Sequence, residues 1–100
     1  MAEIIIPFKD RFKSRILDGT KNLTWRTRRY GEDGDTFWAF GVQFRILKEW
    51  EAPMSAVPEN YLREGFDSKK DAIQFMRKLR PKRGYAPQLM GWHHWFGRVE

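Results

Sequence analysis

A lysine, a threonine and an arginine stand close together in the first third of the chain. Lys21, Thr24 and Arg26 follow Gly19, which is placed to end a preceding helix. The junction of a helix and a strand lies at a rim, where a ligand can reach polar side chains. Lysine can act as a base and threonine as a nucleophile, so this spacing makes the segment a candidate catalytic or binding site.

The geometry of an extended chain limits how these three side chains can meet. Successive residues of a strand point to opposite faces, so Thr24 and Arg26 share a face, whereas Lys21 and Thr24 do not. Lys21 can join them only if the backbone bends near Lys21 or Asn22. A Thr-x-Arg strand face is also common on ordinary protein surfaces, so the three residues alone leave open whether a site exists.

Five tryptophans offer flat surfaces on which a nucleic-acid base can stack, an interaction worth about 1–3 kcal/mol per base. Trp25 is the best placed, because it lies inside the polar cluster, while Trp38, Trp92 or Trp95 could flank a groove. Most tryptophans of a small domain pack in its core, so both roles stay open.

Other catalytic and metal chemistries find little support. The chain has no cysteine, and its two histidines, His93 and His94, are adjacent in a predicted strand, where they point to opposite faces and cannot share one metal ion. We expect one to pack among Trp92, Trp95 and Phe96 and the other to face solvent. No G-x-S-x-G turn and no phosphate-binding glycine loop occurs, so neither a metal nor another cofactor is predicted.

The net charge of +6 is unevenly distributed. Residues 9–29 hold eight basic and two acidic side chains, and residues 69–83 hold seven basic side chains and one acidic side chain. The rest of the chain is acidic. Two concentrated basic segments suggest a surface that faces a polyanion, although solvated helix faces of a basic protein give the same pattern.

The 100 residues are predicted to form one domain of the α+β class, with a small β core and two or three short helices. We expect strands at residues 3–6, 19–26, 37–40, 43–50 and 93–99, with Gly41 and Val42 forming a tight turn. Helices are expected at residues 8–17, from Pro58, and from a Ser68 cap to Pro81. No apolar run approaches the ~18 residues of a membrane span, and the absence of cysteine favours the cytoplasm.

Several of these features, in order, resemble the ASCH domain of the PUA-like superfamily. They are the isoleucine-rich first strand, the helix of residues 8–17, and the stretch GTKNLTWR at residues 19–26. Gly34 and Asp35 before a hairpin, EGF at residues 64–66 before the Ser68-capped helix, and a C-terminal strand complete the resemblance. It implies a small β-barrel with flanking helices and a cleft near Lys21, associated with RNA binding.

Within this family, the chain is similar to the small bacterial N4-acetylcytidine amidohydrolases. A glycine two residues before a lysine, a threonine three after it and then an arginine match Gly19, Lys21, Thr24 and Arg26. The resemblance places the glutamate of those enzymes on Glu64. Thr20, Asn22 and Trp25 differ in character from the residues that those enzymes carry, and the aromatic segment 92–96 has no counterpart there.

Two functions follow as hypotheses. In the first, Lys21, Thr24 and Glu64 hydrolyse the N-acyl amide of N4-acetylcytidine, free or in RNA, which requires burial and Arg26 to lower the pKa of Lys21 more than Glu64 raises it. In the second, the domain binds RNA without catalysis. Arg28 and Arg29 then contact phosphates, Trp25 stacks on a base, and Arg26 with Glu64 reads its edge.

Overall fold

A computed structural model describes residues 1–100 as an α+β fold with four antiparallel strands and a few helices. The sheet order is β1-β4-β3-β2, so β1 and β2 are its edges, and the sheet curls into a half-barrel. No helix is long and apolar enough to cross a membrane. The strands are β1 (Leu23–Arg26), β2 (Thr36–Ala39), β3 (Val42–Pro53) and β4 (Met90–Arg98). The helices are α1 (Lys13–Leu17, after a 3-10 turn at Asp10–Phe12), α2 (Ala56–Glu59), α3 (Tyr61–Glu64) and α4 (Lys69–Leu79).

The predicted N-terminal strand is wrong. Residues 3–6 contribute one isolated parallel bridge, between Glu3 and Thr36, because the segment meets the edge strand β2 at that position alone. Ile6 is buried, but Ile5 is 84% exposed, so the isoleucine run is not a core strand. The predicted helix of residues 8–17 likewise begins later, as the 3-10 turn followed by α1.

The tight turn between β2 and β3 is present, one residue earlier than predicted. Phe40 and Gly41 occupy its centre with φ angles of 51° and 80°. Two-residue hairpin turns of this kind require positive φ at both central positions, which glycine adopts freely. Phe40 is the only non-glycine residue with a positive φ. Its position in the hairpin turn requires this backbone conformation.

Local signals predicted α4 well. The Ser68 hydroxyl accepts a hydrogen bond from the Asp71 backbone N–H at 3.0 Å, and the helix ends at Leu79 before Pro81. Ala72 and Met76 are buried on its inner face. Along β3, Phe44 and Ile46 are buried and Leu47 is exposed, as the alternation predicts.

The register of the central strand β4 places its two histidines on opposite faces of the sheet. His94 pairs with Thr24 and Glu49, and His93 pairs with Trp25 and Trp50, which confirms the opposite orientation. The expectation that one of them faces solvent is wrong, because His93 and His94 are 1% and 0% exposed. Each histidine meets a buried carboxylate: His93 meets Glu64 at the end of α3, and His94 meets Glu49 on the neighbouring strand β3.

Candidate functional site

A cavity of about 520 Å³ lies against the edge strand β1. Because β1 has no neighbour on one side, the cavity reaches residues from both faces of the sheet. It brings together Lys21, Thr24, Arg26 and Glu64, the four polar residues predicted to form a site. Its aromatic walls come from the N-terminal segment, the 3-10 turn, the loop after β1, the loop before α4 and α4 itself: Phe8, Phe12, Tyr30, Phe66 and Phe75.

The chain is not extended at residues 21 and 22, so the bend needed to bring Lys21 towards Thr24 is present. The backbone N–H of Lys21 donates to Arg15 O at 2.9 Å, and that of Asn22 donates to Arg63 O at 3.0 Å. These bonds tie the segment to the end of α1 and to α3. The Arg63 guanidinium adds a hydrogen bond to the Asn22 side chain at 3.0 Å.

The Lys21 side chain is buried, with 3% exposure. Its Nζ donates to the main-chain carbonyls of Leu23 at 2.8 Å and Glu64 at 2.5 Å, and lies 3.9 Å from Glu64 Oε1. The Phe12 ring centre is 4.7 Å from Nζ. Burial lowers the pKa of the Lys21 ammonium from 10.5 to about 8; Glu64 opposes this change and Arg26 adds to it.

Glu64 is the last residue of α3, and Gly65 follows it in the left-handed conformation with φ of 94°. A Cβ on Gly65 would come within 2.8 Å of Lys21 Cδ, so glycine is needed for the lysine to pass. Glu64 Oε2 lies 2.7 Å from Nε2 of His93, and both side chains are buried. Sequence reasoning missed His93, because only the fold brings β4 to α3.

Thr24 and Arg26 share a face of β1, as predicted, and are hydrogen-bonded. The Arg26 Nε donates to Thr24 Oγ1 at 3.1 Å, and its Nη2 donates to Pro7 O at 2.5 Å. The guanidinium lies between the rings of Phe8 and Tyr30, 5.2 Å and 5.7 Å from their centres. Burial lowers the pKa of Arg26, which remains a cation at the cavity wall.

Trp25 lines the cavity but is largely fixed in the core. Its indole N–H donates to Ala52 O at 2.9 Å, and its ring packs against the backbone at Gly91. Only 7% of the residue is exposed. A ligand could therefore touch one edge of Trp25, while the more accessible aromatic side chains are elsewhere in the cavity wall.

The two arginines predicted to contact RNA, Arg28 and Arg29, lie in different surroundings. Arg28 lines the cavity, and its guanidinium lies 4.5 Å from the centre of the Tyr30 ring. Arg29 does not line it. Its Nε donates to Glu49 Oε1 at 2.9 Å, and its guanidinium lies over the Trp92 ring.

Tyr30 is a second cavity residue that sequence reasoning missed. Its backbone N–H donates to Nε2 of His94 at 2.9 Å, which fixes the loop after β1 on the sheet. Because Nε2 accepts from Tyr30 and Nδ1 lies 3.2 Å from Thr24 O, the proton of His94 is assigned to Nδ1; Glu49 Oε2 also lies 3.1 Å from Nε2. Burial lowers the pKa of His94 to about 4 and keeps it neutral.

A second groove, of about 670 Å³, is larger and more open but has fewer side chains that could take part in a reaction. Leu47, Trp95 and Phe96 form part of its wall, and its charged lining residues are Asp18, Lys21 and Arg98. No three metal-ligating side chains come together anywhere in the structure. The smaller cavity is therefore the candidate site, because it alone combines a buried amine, a hydroxyl and a carboxylate.

No protein-family model matches this chain, and no curated protein matches it. Its fold is similar to the crystal structure of protein EF3133 from Enterococcus faecalis V583, which carries the family description DUF984. The TM-score is 0.64 and the sequence identity is 16%, over 98% of this chain and 75% of that chain. At this identity the similarity supports the small barrel-like α+β architecture and says nothing about activity.

Proposed function

We propose that the cavity receives a modified pyrimidine nucleoside and hydrolyses the N-acyl amide of N4-acetylcytidine, in a barrel of the PUA-like, ASCH type. The observation that carries this proposal is the presence of Lys21, Thr24, Arg26 and Glu64 around one cavity, with the pKa of Lys21 lowered to about 8. Buried titratable groups with shifted pKa values in a concave site are typical of active centres.

The size and walls of the cavity support a small flat ligand. Its volume of about 520 Å³ falls within the range of about 300–1,000 Å³ that is usual for small-molecule sites. Phe8 and Tyr30 stand near the guanidinium of Arg26, so a base could stack on a ring while its polar edge meets a cation.

Lys21 is arranged to act as a base. A neutral lysine amine has two N–H groups, and two main-chain carbonyls, of Leu23 and Glu64, accept from Nζ. The lone pair of the neutral amine is then free to take a proton. With a pKa of about 8, about one lysine in ten is neutral at pH 7, far more than for an unperturbed lysine.

In the proposed reaction, Thr24 Oγ attacks the acetyl carbonyl carbon while its proton passes to neutral Lys21. Arg26, which donates to Thr24 Oγ1, is placed to stabilise the negative charge on the carbonyl oxygen. The carbon–nitrogen bond then breaks, and Lys21 returns the proton to the N4 nitrogen of cytidine. One water molecule hydrolyses the acetyl ester on Thr24, releasing acetate, and Glu64 holds Lys21 in place.

Incubation with N4-acetylcytidine tests this proposal, with cytidine and acetate measured in equal amounts. Lys21→Met and Thr24→Val keep the side-chain size and should lose at least about 100-fold in kcat/KM. Lys13→Met, an exposed lysine on α1, should turn over normally and serves as the matched control. Absence of turnover by the wild type removes the amidohydrolase, and turnover that survives both site variants removes the assignment of these residues.

A second candidate, non-catalytic binding of RNA, is favoured by the charges around the same cavity. Glu64 is the one carboxylate in its wall, against five cations: Lys9, Lys21, Arg26, Arg28 and Arg80. Phosphate contacts by such cations make affinity fall steeply with salt. Arg28→Glu should weaken RNA binding and reduce this salt dependence, whereas Lys48→Glu, outside both basic segments, should leave both almost unchanged. A flat salt response contradicts this candidate.

A further inference from the structure

The carboxylate of Glu64, in the cavity wall, lies between two buried side chains, Lys21 and His93. Its Oε1 lies 3.9 Å from Lys21 Nζ, and its Oε2 lies 2.7 Å from His93 Nε2. His93 is 1% exposed and packs at 60° against the ring of Trp50, with 5.2 Å between ring centres. The proposed reaction uses Lys21 and Glu64 but gives His93 no part, so this contact needs its own explanation.

The hydrogen-bond partners of His93 determine which of its nitrogens carries the proton. Nδ1 is buried and has no partner in the structure, while Nε2 faces a carboxylate oxygen. A proton on Nδ1 would be a buried donor without an acceptor, and bare Nε2 would face an oxygen that only accepts. The neutral tautomer with N–H at Nε2 satisfies the contact, because it donates to Glu64.

We propose that His93 is a positioning residue, which donates from Nε2 to Glu64 and so keeps that carboxylate turned towards Lys21. This inference rests on the proposed function for its role in catalysis, but the contact itself does not. His93 does not itself line the cavity but contacts Glu64, which does, so it acts through Glu64. Comparable outer partners orient the groups that do the chemistry in other sites.

Burial is the main cause of the lowered pKa of Lys21, and nearby charges modify it. Three charged groups act on Lys21: Glu64 raises its pKa, while Arg26 and Arg11 lower it. His94, the other buried histidine, lies on the opposite face of β4, where it contacts Thr24 O, Tyr30 N and, at 3.1 Å, Glu49 Oε2. Without the His93 donor, the Glu64 carboxylate is free to turn away from Lys21, and its effect on the pKa of Lys21 is weakened.

Nitrogen-15 NMR of the imidazole rings in the wild-type protein tests the contact without any substrate. We expect His93 to show a protonated Nε2 at neutral pH. His94 provides an internal comparison, because the Tyr30 N–H donates to its Nε2 and Thr24 O faces its Nδ1, which places its proton on Nδ1. Glu49 Oε2 also lies 3.1 Å from Nε2 of His94, and burial raises the pKa of that carboxyl group. An unprotonated Nε2 in His93 would overturn the proposal, whether or not the protein turns over N4-acetylcytidine.

Titration of Lys21 by carbon-13 NMR of the lysine Cε tests the consequence. His93→Phe should lower the pKa of Lys21 by about one unit, while His93→Gln, whose amide can still donate to Glu64, should remain close to wild type. Glu64→Gln should lower it as well, and adding His93→Phe to Glu64→Gln should change nothing more. An unchanged pKa in His93→Phe, or an equal shift in both backgrounds, would overturn the role of His93.

The two proposals fail separately. If the NMR results are as expected and no cytidine forms, the contact stands and the amidohydrolase is wrong. If cytidine forms and His93→Phe keeps the wild-type dependence of kcat/KM on pH, the reaction stands and His93 has only a packing role. Should His93→Phe not fold, the tautomer in the wild type still decides the contact.

Discussion

Lys21 and Glu64 are 43 positions apart in the chain, yet Glu64 offers the lysine two groups at once. Lys21 Nζ donates to the main-chain carbonyl of Glu64 at 2.5 Å and lies 3.9 Å from its carboxylate. The carbonyl fixes where the amine sits, and the carboxylate affects how tightly it holds its proton. The position of Lys21 therefore depends on the end of α3 and on the turn at Gly65.

The proposed role of Lys21 as a base predicts how activity depends on pH. Burial lowers the pKa of Lys21 to about 8, and the neutral amine is the active form. kcat/KM for N4-acetylcytidine should therefore rise about tenfold per pH unit below pH 8 and level off above it. Activity that is constant or falls between pH 6 and 8 would show that another group is the base.

Gly65→Ala should destabilise the protein more than the same change at Gly19. Both glycines have positive φ, at 94° and 87°, so both variants carry a similar backbone cost. A Cβ at Gly65 would lie 2.8 Å from Lys21 Cδ and 2.9 Å from Phe12 Cδ1, whereas nothing lies within 4 Å of one at Gly19. Urea denaturation should give an additional loss of about 1–3 kcal/mol for Gly65→Ala. Equal losses would mean that Lys21 is free to move aside.

Arg29 should stabilise the fold by neutralising Glu49 rather than by binding RNA. Arg29→Ala leaves the fully buried Glu49 carboxylate without its cation, so the midpoint of urea denaturation should fall. Glu49→Gln removes that charge, and the double variant should lose less stability than the sum of the two single changes. Arg28→Ala, which has no carboxylate partner, is the matched control. Strict additivity would contradict the pairing.

His94 should make the protein less stable in mild acid. The unfolded chain protonates this histidine near pH 6.5 and the folded protein near pH 4, so unfolding takes up a proton between these values. Stability from this group is present above pH 6.5 and is lost as the pH falls towards 4, by about 3 kcal/mol in all. His94→Gln can still accept from Tyr30, and its stability should depend less on pH in this window. Identical acid profiles would show that His94 is protonated in the folded state and paired with Glu49, whose Oε2 lies 3.1 Å from Nε2.

Local signals in the sequence predicted much of the fold. The Ser68 cap, the alternation along β3 and the position of β4 all depend on neighbouring residues, and the structure confirms them. The N-terminal strand failed because its β-branched residues fix a local preference but cannot supply a partner strand. Ile5 is exposed for that reason.

The candidate site was predictable only in part. Lys21, Thr24 and Arg26 lie within six residues, so their spacing was informative, and the family resemblance added Glu64. Nothing local indicates that His93 meets Glu64 or that His94 anchors Tyr30, because these contacts depend on which loop or helix covers each face of β4. The adjacency of the two histidines predicted that they point to opposite faces of the sheet. It did not predict which residues each of them contacts.

The most direct test of the cavity as a pyrimidine site is where N4-acetylcytidine binds. Titration of Thr24→Val, which is not expected to consume the ligand, can be followed by ¹H–¹⁵N NMR. A ligand in the cavity should shift the signals of the Trp25 indole N–H, the Arg26 Nε–H and the amides of residues 64–66. Shifts confined to the groove at Leu47 and Trp95, or none at millimolar ligand, would contradict this expectation.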